Sequence, residues 1–365
     1  MGGTIAERHA EVLVDRCHAG LAGTELAAEV VQRLPGILPV AAAFFATVDP
    51  DTLLFTSAVA QDPLGTVTPL FLDNEFGRAD VNKFATLARA PDPVGSLDHS
   101  TGGHRADSPR YREIMAPLGL GDELRAALIA GRRCWGVLCL HLEDADAGFS
   151  DQDLAMVRHL VPHLAEGLRR SVVREASVTQ QPGAPGMLVL DQDLSVLSMS
   201  PQAEQWLALL SDDDDADGLP MPLHAAVTKL MTAESAVPAE SATPAQPDLD
   251  EGRSATTLRL RARDGRWLAL HAIRLRGPAG AQVGVVIEPA VPADLGSLLL
   301  SAHGLTDAQT RVVALVLRGH STREIVEQLH ISANTVQEHL TAVFDLLGVR
   351  SRRELIATIL GHGGR

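Results

Sequence analysis

The stretch from Leu305 to Leu360, LTDAQTRVVALVLRGHSTREIVEQLHISANTVQEHLTAVFDLLGVRSRRELIATIL, decides how this chain is read. Thr306-Asp-Ala-Gln309, Ser321-Thr-Arg-Glu324 and Ser351-Arg-Arg-Glu354 each place a hydroxyl three residues before a side chain able to reach back to it. This is the capping-box pattern, so each predicts a helix start. Ser332 supplies a fourth N-cap. Only Leu329-His330-Ile331 separate the second and third helices, a length suited to a helix-turn-helix corner. In the third helix Val336, Leu340, Val343 and Leu347, with Phe344, face a small core. Asn334, Gln337, Glu338, Thr341 and Asp345 fall on the opposite face.

Leu305-Thr306, Gly319-His-Ser321-Thr-Arg-Glu324-Ile325, Ile331-Ser332-Ala-Asn-Thr335-Val336, His339-Leu340 and Leu347-Gly348-Val349-Arg350-Ser351-Arg352-Arg353-Glu354-Leu355 together closely resemble the LuxR-type DNA-binding domain, over about one sixth of the chain. The resemblance implies a third helix in the major groove, with Asn334, Thr335, Gln337, Glu338 and Thr341 toward the DNA. An amide pairs with adenine, and a carboxylate accepts from cytosine N4. Thr322 and Arg323 at the second helix start, with Arg350, Arg352 and Arg353, are the expected phosphate contacts. Many members of the family carry a basic residue where Gln337 and Leu346 stand, and Glu where Gln309 stands.

Upstream, Val12, Leu13, Val30, Val31 and Leu34 mark an amphipathic helix over Ala6–Leu34, broken by Pro35-Gly36. Val40–Val48 and Leu53–Ala60 form a hairpin, and a turn-rich stretch from 61 to 121 holds a short helix near 80–90. Glu123–Ala130 and Cys134–Leu142 form a second hairpin, and Ser150 caps a helix to about Arg174. Trp135-Gly-Val-Leu-Cys-Leu140, Phe149-Ser150-Asp151-Gln-Asp153-Leu154 and His163-Leu-Ala165 carry a resemblance to GAF domains, which are small-molecule sensors. It covers roughly residues 6–172. The two long helices are the expected dimer seam. The expected effector pocket lies between the sheet and residues 68–121, lined by Phe71, Phe76, Phe84, Tyr111 and Met115; core packing explains each of these equally well.

Beyond a break at 179–186, two short strands, a helix at Pro201–Leu210 and three further strands (256–262, 267–275 and 283–288) look like a reduced PAS domain. The aspartate run Asp212–Asp215 and an Ala/Pro/Ser/Glu-rich tract predict a poorly ordered insertion. The fold class is therefore multidomain α+β: GAF-like and PAS-like antiparallel-sheet sensor domains, then an all-α four-helix LuxR-type domain. The expected boundaries are 1–176 GAF-like, 177–186 linker, 187–290 PAS-like with an insertion at 211–252, 291–304 linker, and 305–365 DNA-binding.

Several functions are excluded. No run reaches the roughly 20 apolar residues of a membrane span, and no export leader is visible, which points to the cytoplasm. Lys83 and Lys229, the only lysines, follow no strand end suited to a phospho-receiver. No nucleophile elbow, Walker loop or HExxH is present, so no enzyme is expected. His159 and His163 stand at i, i+4, and His99 and His104 in a loop, without acids or cysteines at matching spacing; no metal and no cofactor are expected. Cys17, Cys134 and Cys139 read as buried thiols, with Cys134 and Cys139 on opposite strand faces. Arg-rich, Ala-rich usage suggests a GC-rich bacterium.

The chain is thus expected to be a dimeric transcriptional regulator. Its partners would be double-stranded DNA, a second copy, a small-molecule effector and RNA polymerase. The alternative is a constitutive regulator whose upstream domains only dimerise or bind protein. Its 31 Lys+Arg against 46 Asp+Glu give a net charge of -15. Residues 301–365 hold seven Arg and six acids, a balance of +1, leaving -16 on residues 1–300. So thin a basic footprint predicts modest monomer affinity, a shallow dependence of affinity on salt, and a need for two half-sites in a dimer. A titration of the full chain against DNA across a salt series checks this; tight, steeply salt-dependent binding by a monomer contradicts it.

Overall fold

Thr4 caps the first helix, α1 (Ile5–His18), by a reciprocal box in which its N–H donates to Glu7 Oε2 (2.6 Å). Gly20, at φ 79°, then turns the chain into α2 (Gly23–Arg33). The single helix expected over Ala6–Leu34 is therefore two, because the left-handed conformation that glycine adopts freely cannot continue a helix. The computed structural model describes residues 4–176, 183–211, 218–235, 255–275 and 281–359.

Five strands follow: β1 (Ala42–Val48), β2 (Phe55–Ala60), β3 (Val94–Ser96), β4 (Leu120–Ala130) and β5 (Arg133–Glu143). They form an antiparallel sheet in the order β2-β1-β5-β4-β3. In the turn-rich stretch, α3 (Thr68–Gly77) precedes α4 (Phe84–Leu87), which is shorter than the helix expected near 80–90, and α5 (Leu97–Thr101) follows β3. The long α6 (Asp151–Glu175) starts at the Ser150 cap. Along β5, Leu138, Leu140 and Leu142 pack with α1, α2 and α6, while Val137 and Cys139 face the other way, the period of two of a strand buried on both faces. Gly131 and Arg132, both at positive φ, make the two-residue turn into β5. Just beyond it the register slips from Ile129↔Cys134 to Leu128↔Gly136, so Trp135 bulges out. That slip restores Cys134 to the side of Cys139, correcting the expectation of opposite faces. All three cysteines are buried and free.

The second sheet, β6 (Gly186–Leu190), β7 (Val196–Met199), β8 (Ala255–Arg261), β9 (Trp267–Leu275) and β10 (Gln282–Pro289), has the order β7-β6-β10-β9-β8. With α7 (Pro201–Leu210) after β7, it repeats the strand order of the first sheet. The insertion departs from expectation. Met221–Ser235 form a helix, α8, whose Leu223, Ala225, Ala226, Val227 and Leu230 are buried. It lies between the two domains: His224 Nε2 is 3.1 Å from Asp73 Oδ1 on α3, and Lys229 Nζ donates to the Thr52 carbonyl. Residues 212–217, which hold the aspartate run, and 236–252 of the insertion lie outside the described residues.

The stretch expected as a second linker holds α9 (Pro292–Ala302). Its Leu295, Leu298 and Ala302 join the core around α6, while Leu300 joins that of the C-terminal helices. These helices are α10 (Asp307–Leu317), α11 (Thr322–Leu329), α12 (Ala333–Leu347) and α13 (Arg352–Ile359). Among the described residues, no helix is long and apolar enough to cross a membrane.

One ion-pair cluster fixes the two sheets to each other. Arg259 on β8, only 7% exposed, donates from Nη2 to Asp49 Oδ1 (2.6 Å) and Asp51 Oδ2 (2.6 Å) in the β1–β2 turn, and from Nη1 to Ser297 on α9 (2.5 Å). Asp49 is also buried, so removing the guanidinium strands a charge without water. Arg259→Met is expected to lower unfolding stability by about 3–5 kcal/mol. A shift below about 1 kcal/mol in denaturant titrations would show that the cluster is not structural.

Candidate functional site

The C-terminal helices are positioned by their caps. Ser321 accepts from Glu324 N–H (3.3 Å), and Glu324 takes the Ser321 N–H (2.6 Å). At the corner His330 adopts φ 53°, the left-handed conformation that stops α11 and turns the chain. Ser332 then accepts from Thr335 N–H (3.0 Å) and starts α12. Gly348, at φ 66°, ends it, and the Val349 N–H reaches the Phe344 carbonyl (3.0 Å). This accounts for the Leu347-Gly348-Val349 sequence: the glycine takes the αL position, and apolar neighbours close the core. The third expected box is altered, since Glu354 N–H does bind Ser351 Oγ (3.1 Å) but its carboxylate takes the Arg350 N–H (2.7 Å).

Val336, Leu340 and Val343 are buried against Val312, Val316, Ile325 and Leu355. That leaves Asn334, Gln337, Glu338 and Thr341 exposed along one side of α12, with Thr335 half-buried beside its cap. Asn334 Nδ2 donates to Glu338 Oε1 (2.7 Å), which orients both polar heads. Thr322 is half-buried; Arg323 is exposed and donates to Glu327 Oε1 (3.0 Å). Arg350 and Arg353 are exposed. Arg352 differs from the other arginines, because its Nη2 is bound to the His320 carbonyl and so holds α13 against the start of α11.

A second site lies inside the first sheet domain. Glu123 and Arg125 on β4 pair in register with His141 and Cys139 on β5. Arg110 Nη2 lies 2.6 Å from Glu123 Oε2, and Arg125 Nη2 lies 2.6 Å from Glu75 Oε2 on α3. The Arg125 guanidinium sits 3.7 Å from the centre of the Phe84 ring. Cys139 Sγ donates to Glu123 Oε1 (2.8 Å), with His141 Nε2 3.4 Å from the sulfur. Burial raises the Glu123 carboxyl, but Arg110 and Arg125 outweigh it and hold it at about 2. Burial pushes His141 down to about 4 and the Cys139 thiol up. At neutral pH the site therefore holds a carboxylate, a neutral imidazole and a thiol.

A cavity of about 20 Å³, room for roughly one water, adjoins this group and is lined by Phe44, Phe71, Arg110, Met115, Glu123 and His141. Of the expected effector-pocket residues, Phe71 and Met115 reach it. Phe76 and Phe84 pack against Phe55 instead, and Tyr111 turns outward to donate to Asp144 (2.7 Å). A larger cleft of about 790 Å³ opens between the two sheets, bordered by Thr47, Ser57, Ser171, Glu175, Arg259 and Arg261. His163 meets His18 at the α1–α6 seam, with His18 Nε2 3.2 Å from His163 Nδ1, and His159 lies against His163 on α6. The sequence reading missed Glu123, Arg125 and His141; the signal was there in charged residues at period two inside otherwise apolar strands.

Residues 303–359 match the family described as bacterial regulatory proteins, luxR family, and residues 23–168 match the GAF domain. The chain is 34% identical over 65 residues to the transcriptional regulatory protein DesR of Bacillus subtilis (strain 168). The match takes in 18% of this chain and 33% of DesR, so the chain spans about a third of the length of that curated relative. Similar solved structures include the phycoerythrobilin-bound GAF domain of a cyanobacterial phytochrome, at 14% identity over 47% of this chain and 98% of that one, TM-score 0.33. A GAF domain from a Coxiella burnetii phosphoenolpyruvate-protein phosphotransferase matches at 15% identity, 47% and 97% coverage, TM-score 0.32. VqmA of Vibrio cholera, in a complex with ligand and DNA, matches at 17% identity, 49% and 83% coverage, TM-score 0.21. The chain thus carries a GAF domain and, near its C-terminus, a luxR-family domain.

The cap geometry generates a direct test. Ser332→Ala is expected to cost about 1 kcal/mol and to speed hydrogen exchange across 333–347, whereas Gln337→Ala, on the exposed face, stays within about 0.5 kcal/mol of the parent. Equal effects of the two would contradict the assigned roles.

Proposed function

We propose that this chain is a sequence-specific DNA-binding transcriptional regulator that works as a dimer and whose DNA binding is set by a small molecule held in its sheet domains. The observation that carries the proposal is the exposed polar side of α12, which presents Asn334, Gln337, Glu338 and Thr341 from a helix that follows a three-residue corner. A helix of this diameter fits the major groove, where amide and carboxylate groups read base edges. Thr322, Arg323, Arg350 and Arg353 flank that side as phosphate contacts, and Arg352 holds α13 to the start of α11. Thr335 serves the cap as well as the groove. A module with only +1 net charge gains affinity by pairing, so a dimer on two half-sites follows from the electrostatics.

Residues 187–290 serve as the PAS-like partner of the GAF domain, a reading supported by the five antiparallel strands and the helix after the second. The cavity beside Phe71 is too small for an organic effector. The cleft between the sheets lies within the roughly 300–1,000 Å³ of small-molecule sites and at a domain boundary, where such sites concentrate. The effector is therefore assigned to the cleft.

Selection of bound sequences from a random DNA pool, followed by affinity measurements, tests this function. Gln337→Ala is expected to lose about 1–3 kcal/mol on the selected site and to relax its base preference, and Arg353→Ala to weaken all sequences alike. A pool that yields no preferred sequence overturns the regulator reading. A thermal-shift screen whose hits leave DNA affinity unchanged favours the constitutive alternative.

A further inference from the structure

The buried group on β4 and β5 has a composition that core packing does not require. Glu123 Oε1, Cys139 Sγ and His141 Nε2 lie 2.8, 3.4 and 4.0 Å from one another, and all three residues are buried. Tetrahedral ligands at zinc-type bond lengths stand roughly 3.3–3.7 Å apart, so side-chain shifts of under about 1 Å bring all three onto one ion. Oxygen, sulfur and nitrogen donors together suit a borderline-soft divalent ion rather than calcium or magnesium.

The surroundings favour the same occupant. Arg110 is bound to Glu123 Oε2, while Oε1 takes the Cys139 thiol, with Arg125 Nε 3.9 Å away, and is the oxygen an ion would meet once that thiol gives up its proton. His141 borders the cavity of about 20 Å³. That volume holds one water, the usual fourth ligand of an open site. The strands pair Glu123 directly with His141, so the donors sit on rigid backbone rather than on a loop.

We propose that Glu123, Cys139 and His141 bind a divalent first-row transition-metal ion of the zinc class, with an open fourth position toward the cavity beside Phe71 and Met115. Binding replaces the S–H bond of Cys139 with a sulfur–metal bond, and the thiol proton goes to solvent, with no change of oxidation state. Arg125, beside the sulfur, supports the thiolate. The group makes the first domain a receptor for a metal ion. This assignment is independent of the DNA-binding reading, since metal uptake and DNA affinity are measured separately.

The test uses the full chain, stripped with a chelator and titrated with Co²⁺ as a spectroscopic probe, with Zn²⁺ in competition. The expected result is one Co²⁺ per chain, a near-ultraviolet sulfur-to-metal band, and displacement by Zn²⁺. Cys139→Ser is expected to abolish the band, and His141→Gln to weaken uptake by more than about tenfold. Cys17→Ser and Cys134→Ser leave both unchanged. Circular dichroism establishes that each variant is folded; if Cys139→Ser does not fold, His141→Gln decides. A folded parent chain that takes up no Co²⁺, or a band that survives in Cys139→Ser, overturns the site.

Discussion

The bond from Arg259 to Asp49 is the constraint on which the arrangement of the two sheets rests. The residues stand 210 positions apart, and neither is solvated enough to remain charged alone. Because the same guanidinium also reaches Asp51 and Ser297, it joins the second sheet, the β1–β2 turn of the first and α9 at one point. The apolar interior follows suit. One buried cluster runs from α1 and α6 to Trp267 and Leu298, and another from Phe55 through α8 to Leu270. Neither stops at the break between the sheet domains.

What was legible in the sequence was what local rules determine. Caps at Ser150, Ser321 and Ser332, the period of α12 and the second hairpin depend on residues within a few positions of one another, and all appear in the structure. What was not legible depends on distant register. Trp135 bulges because β4 and β5 slip there, and that slip decides which face Cys134 occupies. Residues 221–235 read as part of a low-complexity insertion because their apolar residues find partners on α3, β2 and β8, far away in sequence. Arg352 illustrates the limit within the DNA-binding module: its neighbours foretell a phosphate contact, while the His320 carbonyl, brought close only by tertiary packing, claims it.

The same contrast applies to the buried polar group. Glu123, Arg125, Cys139 and His141 are unremarkable one by one in two apolar strands. Only the pairing of those strands, and the arrival of Glu75 from α3 and Arg110 from the segment after α5, makes a compact charged site. Its ionisation is set by the arriving Arg110 together with Arg125 on β4, through which Glu123 keeps its charge in a dry interior. Aromatic rings at Phe71 and Phe84 complete the enclosure and lie against Arg125.

Where a linker was expected ahead of the last four helices, α9 is a rod of about 16 Å. A string leaves its two ends free to swivel; a rod gripped along one side by α6 and meeting α13 on the other transmits torque. Arg169 on α6 grips its far end through the Ala302 carbonyl. The upstream core and the C-terminal helices are therefore held to one another by a strut rather than joined by a tether.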